Sequence, residues 1–161
     1  MANVKLEKVV KLLKDKNMTI STMESCTGGG LGNAITNIEG SSAVFQFGAI
    51  TYSNNFKVKM GVSGEVIDEC SVYSYETARE MAKSITEFAK SDLGVGITGK
   101  LKADDPNNEA GRDDVVFVCI FDKNKDRFYD DRIKVTCDTR EKNKDMVIDR
   151  IADMLLEILL S

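Results

Sequence analysis

The chain has 161 residues, 42% hydrophobic and 30% charged, with a net charge of −4 and no histidine. This length suits one domain with its own core, and the composition is that of a folded globular chain. An acidic balance with scattered basic residues argues against a nucleic-acid footprint, and the missing histidines exclude Ser-His-Asp and Cys-His catalysis and nearly all zinc sites.

No apolar run reaches the length of a membrane span, and Met1-Ala2-Asn3-Val4-Lys5 lacks a signal-peptide core, so a cytoplasmic protein with no membrane partner is expected. Cysteines 26, 70, 119 and 137 show neither a C-x-x-C pair nor zinc spacing and read as free thiols of a reducing compartment.

Residues 4–16 set Val4, Leu6, Val9, Val10, Leu12 and Leu13 against lysines, the pattern of an amphipathic packing helix. Met18–Met23 alternates with period two, as a half-buried strand does. The next stretch, Met23-Glu24-Ser25-Cys26-Thr27-Gly28-Gly29-Gly30, leads into Leu31, Ala34, Ile35 and Ile38 at helical spacing. It therefore reads as strand, tight polar turn and helix start, with free backbone amides at the mouth. A hydroxyl before a helix is ordinarily an N-cap. Successive glycines, however, weaken a helix start by about 0.5–1 kcal/mol each relative to Ala, so a ligand in close approach to the backbone is expected there.

Ser42–Tyr52 is rich in β-formers and closes at Ser53-Asn54-Asn55; Phe56–Gly61 and Gly64–Cys70 read as helical turns. A helix from Ser74 to Lys90 should bury Ala78, Met81, Ala82, Ile85 and Phe88. Leu93–Gly99, small and apolar throughout, suits a central strand covered on both faces. Residues 100–114 form a polar loop holding the only proline. Strands at Val115–Phe121 and Arg127–Val135 make a hairpin, and a helix from Thr139 to Leu160 buries Met146, Ile148, Ile151, Met154, Leu155 and Ile158. The expected fold is a single α/β domain over residues 1–161, three-layer α/β/α, with a mixed and mostly parallel sheet.

Ligands in such sheets bind at the carboxyl ends of strands. Three ends carry polar chemistry here: Glu24-Ser25-Cys26-Thr27, Thr51-Tyr52-Ser53-Asn54 with Lys57 beyond, and Thr98-Gly99. Neither a Walker A pattern nor a G-x-G-x-x-G fingerprint is present. Without histidine, any covalent or acid–base chemistry must run on Lys, Tyr, carboxylates, hydroxyls or a thiol.

Glu-Ser-Cys-Thr-Gly-Gly at 24–29, Ile-Thr at 35–36, Gly-Ser-Ser-Ala-Val-Phe at 40–45, Thr-Tyr-Ser-Asn at 51–54 and Lys57 resemble the CinA C-terminal domain. Weaker matches follow at 78–82, at Gly96-Ile97-Thr98-Gly99 and at Thr139-Arg140-Glu141, so the resemblance covers essentially the whole chain. It implies a nicotinamide-mononucleotide deamidase, which hydrolyses the pyridine carboxamide and releases ammonia. It further implies a nucleotide as small-molecule substrate, no metal or cofactor, a stand-alone domain, and a homodimer or higher homo-oligomer. By resemblance Ser25 is the nucleophile, Lys57 the base, and Tyr52 an orienter or proton relay. The amides around Thr27, Gly28 and Gly29 would bind the oxyanion or the phosphate. Thr98 and Gly99 would line the substrate, and Arg140 would hold phosphate.

From residue type alone Lys57 and Arg140 read as solvated and Tyr52 as a rim residue. Cys26 is the rival nucleophile, since a helix N-terminus can activate a thiol. One departure stands out: the family's Gly-Pro loop after Gly-x-Thr-Gly is replaced by Lys100–Asn108. Three readings stand beside it: an amidohydrolase on nicotinamide mononucleotide or a close relative, a nucleotide-binding module that no longer turns over, and an interaction protein in which the fold serves oligomerisation only.

Overall fold

A computed structural model describes residues 3–101 and 114–161. Its elements run α1 (Val4–Asp15), β1 (Ile20–Glu24), α2 (Gly30–Thr36), β2 (Phe45–Ile50), α3 (Asn54–Lys59), α4 (Gly64–Cys70), α5 (Tyr75–Ala89), β3 (Leu93–Gly99), β4 (Val115–Asp122), β5 (Arg127–Lys134) and α6 (Arg140–Leu160). The sheet order is β2-β1-β3-β4-β5. β1 pairs in parallel with both β2 and β3, whereas β3–β4 and β4–β5 are antiparallel, so β4 alone runs against the other strands.

The sheet is mixed and covered on both faces. On one side α1, α2 and α6 bring Leu6, Val9, Leu13, Leu31, Ile35, Ile151 and Leu155 onto the strands. On the other, Met81 and Ile85 of α5 pack with Met23, Val62, Ile67 and Val72. β3, at the centre, is buried at every position, as its small apolar residues predict. A Cβ added to Gly96 would lie 2.3 Å from the Ala78 carbonyl oxygen, so the glycine lets α5 settle directly on the strand.

Four expectations change. β1 is buried along its whole length rather than on one face, because it lies between two strands with helices on both sides. Phe88 is 60% exposed, turned out toward the ring of Phe47 at 5.1 Å between centroids. Within the predicted strand 42–52, Ser41–Ala43 forms a 3₁₀ turn and the strand begins at Phe45. On α6, Met146 packs only at the margin of the core, whereas the polar Asn143 is fully buried and accepts the Cys137 amide at 2.8 Å, tying the helix start to the preceding segment. The polar loop 100–114 lies outside the described residues over 102–113. No described helix is long and apolar enough to cross a membrane.

Candidate active site

The chain leaves β1 toward α2 on one face of the sheet and leaves the adjacent β2 toward α3 on the other. Such a switch point opens a crevice at the carboxyl ends of the two strands, and Ser25 begins one of these loops while Thr51 begins the other. The two strand ends are stitched together by their backbones: the Thr51 amide donates to the Glu24 carbonyl at 2.8 Å, and the Ser25 amide to the Ile97 carbonyl of β3 at 3.1 Å.

Lys57 reaches this point from the last turn of α3. That helix starts where Ser53 caps the Phe56 amide at 3.2 Å, so the polar run after β2 is a helix cap that aims Lys57 back at the sheet. Its side chain is 2% exposed. Its Nζ lies 3.1 Å from Ser25 Oγ and donates to the Thr51 carbonyl at 2.7 Å. Ser25 is 8% exposed. A lysine that residue type alone would place in solvent is thus buried against a serine hydroxyl.

The turn that holds Ser25 is organised by Glu24, to which the sequence reading gave no role. Its carboxylate is buried and accepts three hydrogen bonds: from Thr27 Oγ1 at 2.6 Å, from the Leu31 amide at 2.9 Å and from the Gly32 amide at 2.9 Å. An acid at a helix N-terminus satisfies orphan amides and opposes the dipole. α2 has no other side-chain cap, since its N-cap position is Gly29.

Glu24 therefore occupies part of the start of α2. The Gly28 amide bonds to the Ser25 carbonyl and the Gly30 amide to the Thr27 carbonyl. The amides of Cys26, Thr27 and Gly29 are left without a partner among the described residues. Gly28 and Gly29 have φ of 61° and 94°, conformations glycine adopts freely. A Cβ on Gly29 would strike Ile50 Cδ1 at 2.8 Å, and one on Gly28 would meet Lys144 Nζ at 3.3 Å. Side chains of β2 and α6 thus lie close to both positions.

The remaining predicted residues fall into two groups. Tyr52, 65% exposed, accepts from Arg140 Nη2 at 3.3 Å, so the strand-end tyrosine and the first residue of α6 meet at the rim. Lys144, one helical turn after Arg140, adds a cation over Gly28. Thr98 and Gly99, by contrast, are enclosed: the Thr98 hydroxyl donates to the Val72 carbonyl at 2.9 Å, and Gly99 pairs with Val116 in the β3–β4 ladder.

Cys26 follows Ser25 directly but is unsuited to attack. Burial pushes its thiol up to about 12, against the opposing pull of Lys57 and Arg140. Raising a thiol's pKa favours the protonated form, which is a poor nucleophile. Native protein treated with iodoacetamide at pH 7 is expected to be alkylated at exposed Cys70 and not at Cys26, as read by peptide mass spectrometry. Rapid labelling of Cys26 would contradict this assignment.

These features define a three-layer α/β domain with a buried Ser–Lys pair at its switch point. The chain belongs to the CinA C-terminal domain family, whose profile matches residues 3–159. A Clostridium perfringens (strain SM101 / Type A) protein named as competence-damage inducible is 51% identical over 98 residues, 60% of this chain and 24% of that protein. A CinA-like protein of Kosmotoga olearia is 49% identical over 94 residues, 58% of this chain and 23% of that one. The chain spans about a quarter of the length of the curated relatives it matches. Among solved structures, a competence-damaged protein (CinA) superfamily member from Klebsiella pneumoniae 700603 superposes with a TM-score of 0.86 at 24% identity, covering 97% of this chain and 96% of that one. A competence or damage-inducible protein from Enterobacter asburiae gives 0.86 at 22% identity over 98% and 99%. Both share the fold.

Proposed function

We propose that the chain is an amidohydrolase that converts nicotinamide mononucleotide to the corresponding acid and ammonia. The observation that carries the reading is the 3.1 Å approach of Lys57 Nζ to Ser25 Oγ inside the crevice, in a chain with no histidine. The resemblance of the motifs around both residues to the deamidase family supplies the substrate.

In this reading neutral Lys57 takes the Ser25 proton as Oγ attacks the carboxamide carbon. Burial penalises an ammonium and is the general means by which proteins hold a lysine in its basic form. The oxyanion meets backbone donors, for which the Cys26, Thr27 and Gly29 amides are available. Lys57 then returns the proton to the departing nitrogen as the C–N bond breaks and ammonia leaves. Water, deprotonated by the same lysine, hydrolyses the acyl-Ser25 ester and regenerates the hydroxyl. Tyr52 and Arg140 stand at the rim, where in this reading the guanidinium holds the phosphate.

Ammonia release from nicotinamide mononucleotide tests the reading. The wild type is expected to turn over, and Ser25→Ala to lose about 10³-fold or more while keeping its circular dichroism, since serine is the covalent centre. A folded wild type that releases no ammonia overturns it. If the nucleotide still raised the melting temperature, the chain would be a nucleotide-binding member of its family without turnover.

A further inference from the structure

Buried hydroxyls of this fold are paired as a rule: Ser21, Thr86 and Thr98 each donate to a backbone carbonyl. Thr51 breaks the rule. The residue is 2% exposed, and its Oγ1 is enclosed without a hydrogen-bond partner among the described residues. An unpaired hydroxyl in the interior is costly, and valine would fill the same volume without that cost. The hydroxyl is accounted for by a partner that it meets only during turnover.

Its position says which partner. β1 and β2 run in parallel with Met23 beside Ala49 and Glu24 beside Ile50, and the bond from the Thr51 amide to the Glu24 carbonyl extends that ladder. Met23 and Ala49 both pack toward α5. Side chains alternate along a strand, so Ser25 and Thr51, two residues further on, turn to the same face. Lys57 arrives on that face, where its Nζ meets Ser25 Oγ and the Thr51 carbonyl. The unpaired hydroxyl belongs to the residue that already holds the lysine.

We infer that Thr51 is a positioning residue of the Ser25–Lys57 pair, its hydroxyl accepting an N–H of Lys57 once that amine has become an ammonium. The inference rests on the amidohydrolase reading, in which neutral Lys57 takes the Ser25 proton. An ammonium carries three N–H donors. As the proton moves, Ser25 Oγ becomes an ester oxygen, a poorer acceptor than the hydroxyl it was. The Thr51 carbonyl keeps one N–H, and the lone pairs of the Thr51 hydroxyl take another. The proton stays on Lys57 until it passes to the departing nitrogen, so Thr51 neither gains nor loses one. An acceptor engaged only after proton transfer favours the transition state over the resting enzyme, which raises kcat and leaves binding unchanged.

Thr51→Val and Thr51→Ser test the inference. Thr51→Val exchanges the hydroxyl for a methyl group and should melt no lower than the wild type, since no hydrogen bond is lost. Its kcat for ammonia release should fall about 10-fold or more with KM unchanged, and Thr51→Ser should recover the rate to within about threefold. A readout free of substrate is the titration of Lys57 by NMR in protein carrying isotope-labelled lysine, the signal being assigned by its loss in Lys57→Met. Removing an acceptor from an ammonium lowers its pKa, so the midpoint in Thr51→Val should lie about one unit below that of the wild type and of Thr51→Ser. Glu24, Cys26 and Arg140, whose charges bear on the same turn, are identical in all three proteins and cancel from the comparison. A wild type that releases no ammonia defeats the reaction reading alone, because the titration still decides the role of Thr51. Equal midpoints in the wild type and Thr51→Val overturn the inference, as does undiminished turnover in Thr51→Val. So does a Thr51→Val protein that melts several degrees lower, which would make the hydroxyl a structural group.

Discussion

Lys57→Met is expected to lose about 10³-fold or more in ammonia release while melting near the wild type, because in the proposed reaction that amine serves as the base and not as a structural group. The lysine is almost wholly buried, and methionine replaces its stem with an apolar chain of similar reach. Exchanging a buried charge-bearing group for an apolar one is often neutral or stabilising. The Thr51 carbonyl gives up one donor, a loss of about 1–3 kcal/mol that the relieved burial of the amine offsets. Lys57→Arg separates two roles. It keeps a cation near Ser25 but cannot act as a base, since a guanidinium is never deprotonated at working pH. Both variants inactive, with melting temperatures within a few degrees of the wild type, is the expected pattern. Turnover retained in Lys57→Arg would assign the lysine an electrostatic role instead. A collapse in stability of both would make it a structural residue.

The sequence disclosed most of the architecture because its local signals agree with the tertiary answer. Ser53, Ser74 and Thr139 cap the helices they precede, the apolar spacing of α1 and α5 names the faces they bury, and the glycines of β3 foretell a strand packed closely on both sides. The Ser25–Lys57 pairing was legible only through the motif resemblance. No periodicity connects residues 32 positions apart, and lysine by itself points outward. Phe88 misled because helical spacing does not distinguish a core-facing side chain from one that faces an unpartnered edge. The role of Glu24 was hidden for a related reason. An open helix N-terminus and one filled by the chain's own carboxylate have the same local pattern until the strand is placed beside the helix. The available sign was an acid ending an otherwise uncharged strand, directly before a helix without a polar cap.

That acid carries the second large effect. Glu24→Gln, isosteric with the native side chain, is expected to destabilise the fold by about 2–3 kcal/mol, the range for losing hydrogen bonds to a buried charged group. In a chain of this length that is about 5–10 °C in melting temperature. Three donors converge on the two carboxylate oxygens, and a carboxylate can only accept. An amide offers one oxygen and turns its NH₂ toward an N–H or O–H that already donates, leaving buried groups opposed. The same change removes the negative charge from the start of α2. Because Thr27, Leu31 and Gly32 are held by Glu24, the Ser25 turn loosens, and turnover should fall although Ser25 and Lys57 are both present. Tm and ammonia release are therefore expected to fall together in Glu24→Gln, in contrast to Lys57→Met, where only activity falls. A Glu24→Gln protein that melts like the wild type would mean that the turn stands without its carboxylate, and the positioning role assigned to Glu24 would be lost.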